Sequence, residues 1–208
     1  MNLISVTAIG ICVISMAAIC SGQSSDRQDS VADRALQEYK SGQYEAAERD
    51  CREIVKQNPS NILAQIYLGQ SLYMQKKYAE SVAPFEKARE LEASGMKLNS
   101  TQHRIVLDQL VIAYGIGGNL KKVYALLDDA IRQDPDYPLN YYNLACAFAE
   151  EGDKAKMLAN LSTAFQHKDH IIKGEQMPDP RTDDSFQNYV HDADFVKLMK
   201  QLGLTGAG

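Results

Sequence analysis

The sequence predicts an all-α protein: a solenoid of about four stacked helix-turn-helix pairs, closed at its C-terminal end by a helical cap. Three observations predict it. The segment GQYEAAERDCREIVKQNP at Gly42–Pro59 returns as KKYAESVAPFEKARELEA at Lys76–Ala93, an offset of 34 residues. Two more copies, GNLKKVYALLDDAIRQDP from Gly118 and GDKAKMLANLSTAFQHKD from Gly152, follow at offsets of 42 and 34 residues. The stretches between the copies, QIYLGQSLY, LDQLVIAYG and YYNLACAFAEEG, carry apolar residues at helical spacing. Each pair therefore presents apolar surface on two sides and cannot bury it alone; stacking neighbours solves this.

Taken in order, the first pair starts near Val31, where Arg34 and Glu38 replace the apolar residues found in later copies. An end repeat faces water, which accounts for a polar first helix. In the second helices a small or aliphatic residue is followed four later by a larger one: Ala47 and Cys51, Ser81 and Phe85, Val123 and Leu127, Met157 and Leu161. Pro59 and Pro135 end their helices, and Pro84, early in its helix, predicts a mild kink. Eight extra residues near SGMKLNST, Ser94–Thr101, either lengthen a helix or form a polar loop. Asn99-Ser100-Thr101 within them is a glycosylation acceptor pattern for a eukaryotic secretory pathway. After Asp169 the pattern stops. A loop-rich stretch leads to two short helical candidates, DSFQNYV and DADFVKLMKQLG, with Asp184 and Asp192 as N-caps and Gly203 as a helix stop. Phe186 and Phe195 are the expected covers for the last pair, whose Tyr141, Leu144, Phe148, Leu161 and Phe165 have no fifth repeat to pack on.

The first helices carry a large residue, then Leu, a small or aliphatic residue, and a last large one: Gln65, Leu68, Gly69 and Leu72; Leu107, Leu110, Val111 and Tyr114; Tyr141, Leu144, Ala145 and Phe148. With the 34-residue period, this pattern resembles the tetratricopeptide repeat family over roughly Asp29–Asp169. The resemblance implies a right-handed superhelical solenoid. The chain as a whole divides into a signal peptide or membrane anchor (1–22), a short linker (23–30), the repeat domain (31–169), and a loop with C-terminal capping helices (170–208).

In that family a concave groove is lined by the first helix of each pair, on the face away from the Leu and small-residue stripe. Carried onto this chain, the resemblance assigns the groove to Leu63, Ile66, Tyr67, Gln70, Tyr73 and Met74, then Ile105, Asp108, Gln109 and Ile112, then Tyr142, Asn143, Cys146 and Glu150. This surface is apolar and aromatic with a few amides. A family subset binds a C-terminal carboxylate through Lys, Arg and Asn, but Ala32, Leu36, Ile66 and Asp108 stand at the comparable sites, so that clamp is not built. The expected partner is an apolar or aromatic peptide, for instance a helix laid in the groove. A competing reading has Tyr67, Tyr73 and Met74 packing against the neighbouring pair or the tail.

Residues 1–25 hold no charged side chain, and Leu3–Cys20 is almost continuously apolar. A cleaved signal, an uncleaved anchor and a lipoprotein signal modified at Cys20 all fit such a segment. Small residues at Ala17, Ala18, Ser21 and Gly22 favour cleavage, whereas the absence of Lys or Arg before the run weakens it. Bulky Ile19 disfavours lipidation. Each reading sends the chain out of the cytoplasm: periplasmic, secreted or membrane-anchored. Only Cys51 and Cys146 lie in the body, in different repeats, which predicts free thiols. A formal net charge of -5 with no basic stripe argues against nucleic acid.

The sequence offers little chemistry. His167 and His170 share a spacing that fits one helix face, but no third and fourth ligand converges in any zinc pattern. The acidic tail lacks a calcium loop, and the Gly115, Gly117, Gly118 cluster has no strand before it to form a phosphate cradle. The chain therefore reads as a non-enzymatic, cofactor-free scaffold or adaptor that binds a protein or peptide partner, with envelope assembly as one setting. The alternatives are a small hydrolase using His and Asp residues of the tail, and an envelope-anchored spacer.

Overall fold

A computed structural model describes residues 26–204; their regular secondary structure is all helical, with no strand among them. The helices are α1 (Asp26–Lys40), α2 (Tyr44–Gln57), α3 (Ile62–Met74), α4 (Tyr78–Ala93), α5 (Ser100–Ile116), α6 (Leu120–Gln133), α7 (Pro138–Glu151), α8 (Lys154–Gln166) and α9 (Ala193–Gln201). Single 3-10 turns lie at Lys168–His170 and Asp184–Phe186. The export segment expected at the N-terminus lies outside the described residues. The chain forms two compact units that divide within α5, between Ala113 and Tyr114.

The repeat is most literal at the turns inside each helix pair. Gly42, Lys76, Gly118 and Gly152 all have positive φ, at 77°, 61°, 71° and 79°. Each donates its backbone N–H three residues back, and the following residue donates to a carbonyl five back: Gly42 to Tyr39 and Gln43 to Glu38, Lys76 to Tyr73 and Lys77 to Leu72, Gly118 to Gly115 and Asn119 to Tyr114, Gly152 to Ala149 and Asp153 to Phe148. A left-handed residue at this place consumes carbonyls the first helix would leave unpaired and reverses the chain. Three copies use the residue that meets least strain there; the second uses lysine.

In the first unit, α1 packs on both α2 and α3, and α3 on α4. Ala35, Cys51, Ile54, Ala64, Leu68 and Leu72 form one buried cluster. Gly69 explains how closely α3 and α4 approach: a Cβ built there would sit 2.6 Å from the Phe85 ring, which is itself fully buried. The small residue of the first-helix pattern and the large residue of the second-helix pattern thus meet directly in this pair. Arg34, at the expected polar position of α1, is exposed and paired with Asp50 and Glu38. Glu48 ties α2 to the turn after α3, accepting from Lys77 at 2.9 Å, Arg52 at 2.8 Å and Gln75 at 2.8 Å. Burial pulls its carboxyl up, but those hydrogen bonds outweigh burial and hold it down at about 2. The extra residues before the third pair are divided between a loop after Ala93 and a longer α5 of 17 residues. Asn99 caps α5, its Oδ1 accepting from Gln102 N at 2.9 Å while Gln102 Oε1 accepts from Asn99 N.

In the second unit, α7 packs on α6 and α8. Tyr137, Tyr142, Ala145, Met157, Leu161 and Ala164 share a cluster with Phe186, Phe195 and Met199 of the tail. Phe186 and Phe195 are completely buried, as covers for the last pair. Asp192 caps α9 by accepting from Asp194 N and Phe195 N, and Lys154 of α8 reaches both Asp192 (3.0 Å) and Asp194 (2.9 Å). Gly203 leaves α9 with φ 79°. The tail departs from expectation in one segment: DSFQNYV forms a single 3-10 turn, capped by Asp183 in place of Asp184. Tyr189 N donates to Phe186 O at 2.7 Å and Asp192 N to Tyr189 O at 2.8 Å, so the chain turns tightly into the α9 cap and leaves no length for a second helical turn.

Candidate protein-binding face

On α3, the residues assigned to the groove fall into two sets. Leu63, Tyr67 and Met74 are half-buried; Ile66, Gln70 and Tyr73 are buried. On α5, Gln109 and Ile112 are half-buried, while Ile105 and Asp108 are buried. Tyr67 and Tyr73 are in aromatic contacts inside this unit: Tyr67 lies 5.6 Å from the Tyr39 ring, and Tyr73 meets Tyr78 edge-on at 5.2 Å. Burial, then the nearby Asp108 and Tyr78, push the Tyr73 phenol well above its usual range, so it stays protonated. Its hydroxyl and Gln109 Oε1 are both buried without a hydrogen-bond partner among the described residues.

On α7, Asn143 and Cys146 are half-buried and Glu150 is exposed, its carboxyl raised chiefly by desolvation. Tyr142 corrects the expectation. It is 2% exposed, its ring meets Phe186 edge-on at 5.7 Å, and its hydroxyl donates to Asp183 Oδ2 at 2.9 Å. The tail covers it. Ile66, Asp108 and Tyr142 stand at one repeat position, at offsets of 42 and 34 residues, and all three are buried. That position is used for packing, so fewer of the assigned residues stay open than the resemblance implied: Leu63, Tyr67, Met74, Gln109 and Ile112 within the first unit and, taken separately, Asn143, Cys146 and Glu150 within the second.

Asp183, which helps close over Tyr142, is absent from every sequence pattern above. It is 6% exposed and accepts Ser185 N on its other oxygen at 2.9 Å. Nothing distinguishes it from its acidic neighbours in the sequence except that Phe186 follows three residues later.

Neither body cysteine is in a disulfide among the described residues; Cys51 is buried, and burial pushes its thiol up to about 12. His167 stacks on Tyr141 at 5.7 Å and faces Asp136 at 3.4 Å, and His170 lies on the adjoining 3-10 turn. Among the described residues no group of three or more His, Cys, Asp or Glu side chains is placed to hold a metal ion. None of the described helices is long and apolar enough to cross a membrane.

Residues 33–95 match the tetratricopeptide repeat family model. No curated protein matches the chain in sequence. Several solved structures share its fold. A structure of MamA superposes with a TM-score of 0.64 at 16% identity, covering 84% of this chain and 89% of that one. MamA from Desulfovibrio magneticus RS-1, from residue 41 to its end, gives 0.62 at 16% identity and covers 88% and 99%. YrrB, described as a TPR protein with an unusual peptide-binding site, gives 0.60 at 16% identity and covers 85% and 86%.

Proposed function

We propose that this chain, which carries a tetratricopeptide repeat at residues 33–95 and has the fold of a solved tetratricopeptide-repeat protein, is a non-catalytic scaffold that holds a polypeptide partner. The observation that carries the reading is the first-helix face of the first unit. Leu63, Tyr67, Met74 and Ile112 keep large apolar or aromatic surface partly open on helices whose other faces are committed to packing. Half-open aromatic and aliphatic side chains on rigid helices are what a polypeptide anchor needs, because little conformational entropy is lost when they are covered. YrrB adds weight as a relative in fold whose description names a peptide-binding site. The partner is met after export, in the periplasm or outside the cell, and envelope assembly is the setting we favour. The apolar run Leu3–Cys20 supports export.

Site-specific photo-crosslinking tests the binding face. A crosslinker at Leu63, Met74 or Ile112 is expected to capture one polypeptide in the exporting cell, and a crosslinker at the outward residues Glu53 or Asp128 is expected to capture none. Equal capture from both sets would overturn the reading. Mass measurement of the mature N-terminus tests export separately: an intact Met1–Cys20 segment in a cytoplasmic fraction would remove that part.

A further inference from the structure

The tail does more than cover apolar surface, and residues 183–189 differ in kind from α9. Helix α9 docks through Phe195 and Met199, both buried in the same cluster, with Lys154 clamping its first turn. The preceding strap docks through one aromatic ring and a buried polar pair. Phe186 is fully buried against Tyr142 and Phe195, Tyr189 OH donates to Ala149 O at 3.2 Å, and the Asp183 carboxylate meets the Tyr142 hydroxyl. Asp183 faces no cation among the described residues; its donors are the Tyr142 hydroxyl and the Ser185 N–H. Ser185 Oγ is buried with no hydrogen-bond partner among the described residues.

One oxygen of the Asp183 carboxylate caps the 3-10 turn through Ser185 N–H, but the other accepts from the Tyr142 hydroxyl, a buried contact that capping does not require. Desolvating the carboxylate costs more than burying an apolar side chain of similar size, and what is gained is register and selectivity for one ligand geometry. The strap lies between two segments that have anchors of their own, buried Pro180 and the Tyr137–Glu175 hydrogen bond before it and the Lys154 contacts after it. On one side Ile171–Thr182 contains no helix and passes through Gly174 at φ 99°; on the other, α9 has its own anchors. Opening the strap requires no α-helix to unwind, only the single 3-10 turn Asp184–Phe186.

We propose that residues 183–189 are a resident ligand of the α7 face, and that the partner accepted there is a polypeptide segment of the same chemistry: a carboxylate three residues before an aromatic ring. This rests on the scaffold reading and names the partner class for one part of it. Tyr142 reads the carboxylate through its hydroxyl, while Tyr142 and Phe195 hold the ring. The partner competes with the strap, whose tether gives it an effective concentration on the order of millimolar, so binding to the intact chain is weak until the strap is displaced.

The test uses the full chain and a fluorescent peptide with the sequence of residues 179–192. Weakening the resident strap by Phe186→Ala is expected to tighten peptide binding by roughly tenfold or more. Adding Tyr142→Phe, or using a peptide with Asn at the place of Asp183, is expected to remove most of that gain. Hydrogen exchange on the unmodified chain supplies a second measurement, needed if Phe186→Ala unfolds: amides of 184–190 should exchange through a local opening, well before those of α8. Exchange of the strap in step with α8 would overturn the proposal, as would a folded Phe186→Ala chain that takes up no peptide. Crosslinking at Leu63 or Ile112 that still captures a partner would then leave the scaffold reading standing.

Discussion

The paired helices and the tail bury side chains of similar size by different means. In the pairs, burial is periodic and apolar: Phe85 fills the space Gly69 leaves, and the same small-against-large arrangement recurs at Ala145 and Leu161. In the tail, burial follows no period and depends on single polar contacts: Tyr142 with Asp183, Tyr189 with Ala149 O, Tyr137 with Glu175 at 2.9 Å, and Lys154 with Asp192 and Asp194. Periodic apolar packing is tolerant of its neighbours and cooperative, since each pair completes the next. Isolated polar contacts each have a geometry to satisfy, and so they select one docked position at little net gain in stability. The difference separates a framework from a segment able to detach.

The largest effect expected is at Phe85. Phe85→Ala should lower unfolding stability by about 3–5 kcal/mol, the usual cost of emptying a full aromatic site. Phe186 is equally buried, but Phe186→Ala should register less in global denaturant unfolding, because its loss is bounded by the free energy of strap opening. Equal losses at the two phenylalanines would erase the distinction between framework and tail.

Gly69→Ala should cost about 1–3 kcal/mol, since the new methyl overlaps the Phe85 ring and must push it aside. Combining it with Phe85→Leu should cost less than the two singles added, a coupling readable by double-mutant cycle. Strict additivity would mean that the ring moves freely and that the close approach of α3 and α4 is not fixed by this pair.

Glu48 is the polar exception inside the repeats. Its folded carboxyl is held at about 2 against an ordinary value of 4.5, so the ionised form is the one the fold favours. The contribution is present above about pH 4.5 and fades as pH falls toward about 2. Glu48→Gln should therefore destabilise by about 1–2 kcal/mol near pH 7, discounted for the solvent exposure of Arg52 and Lys77, and the gap from the unmodified chain should close in acid. A gap that is the same at pH 7 and pH 3 would show that packing, not charge, is what Glu48 supplies.

Lys76 gives the smallest effect and the opposite sign. It holds φ 61° where the other three pairs use glycine, and Lys76→Gly should stabilise the fold by about 1 kcal/mol by removing that strain. A loss on this change would mean that Lys76 contributes a contact outweighing its strain.

Legibility in the sequence follows the same division. The helix pairs and the apolar stripe are readable because each rule is local: a 34-residue period, helical spacing, and a proline where a helix ends. Phe186 and Phe195 were readable as covers because an end repeat needs them. The groove was only partly readable, since a family's geometry states which side of a helix faces inward but not which of those side chains a neighbour covers. Ile66, Asp108 and Tyr142 all lay on the assigned side, and all are buried.

What the sequence determined by itself was the all-helical architecture, the pairing of helices at each turn and the small-against-large contacts within a pair, because these depend on residues close along the chain or repeated at fixed offsets. Only the tertiary structure decided that Asp183 meets Tyr142, and that Glu48, besides its own-helix neighbour Arg52, gathers Lys77 and Gln75. Those contacts join residues with no shared period, and a hydrogen bond depends on angstrom-scale placement that spacing along a chain does not encode.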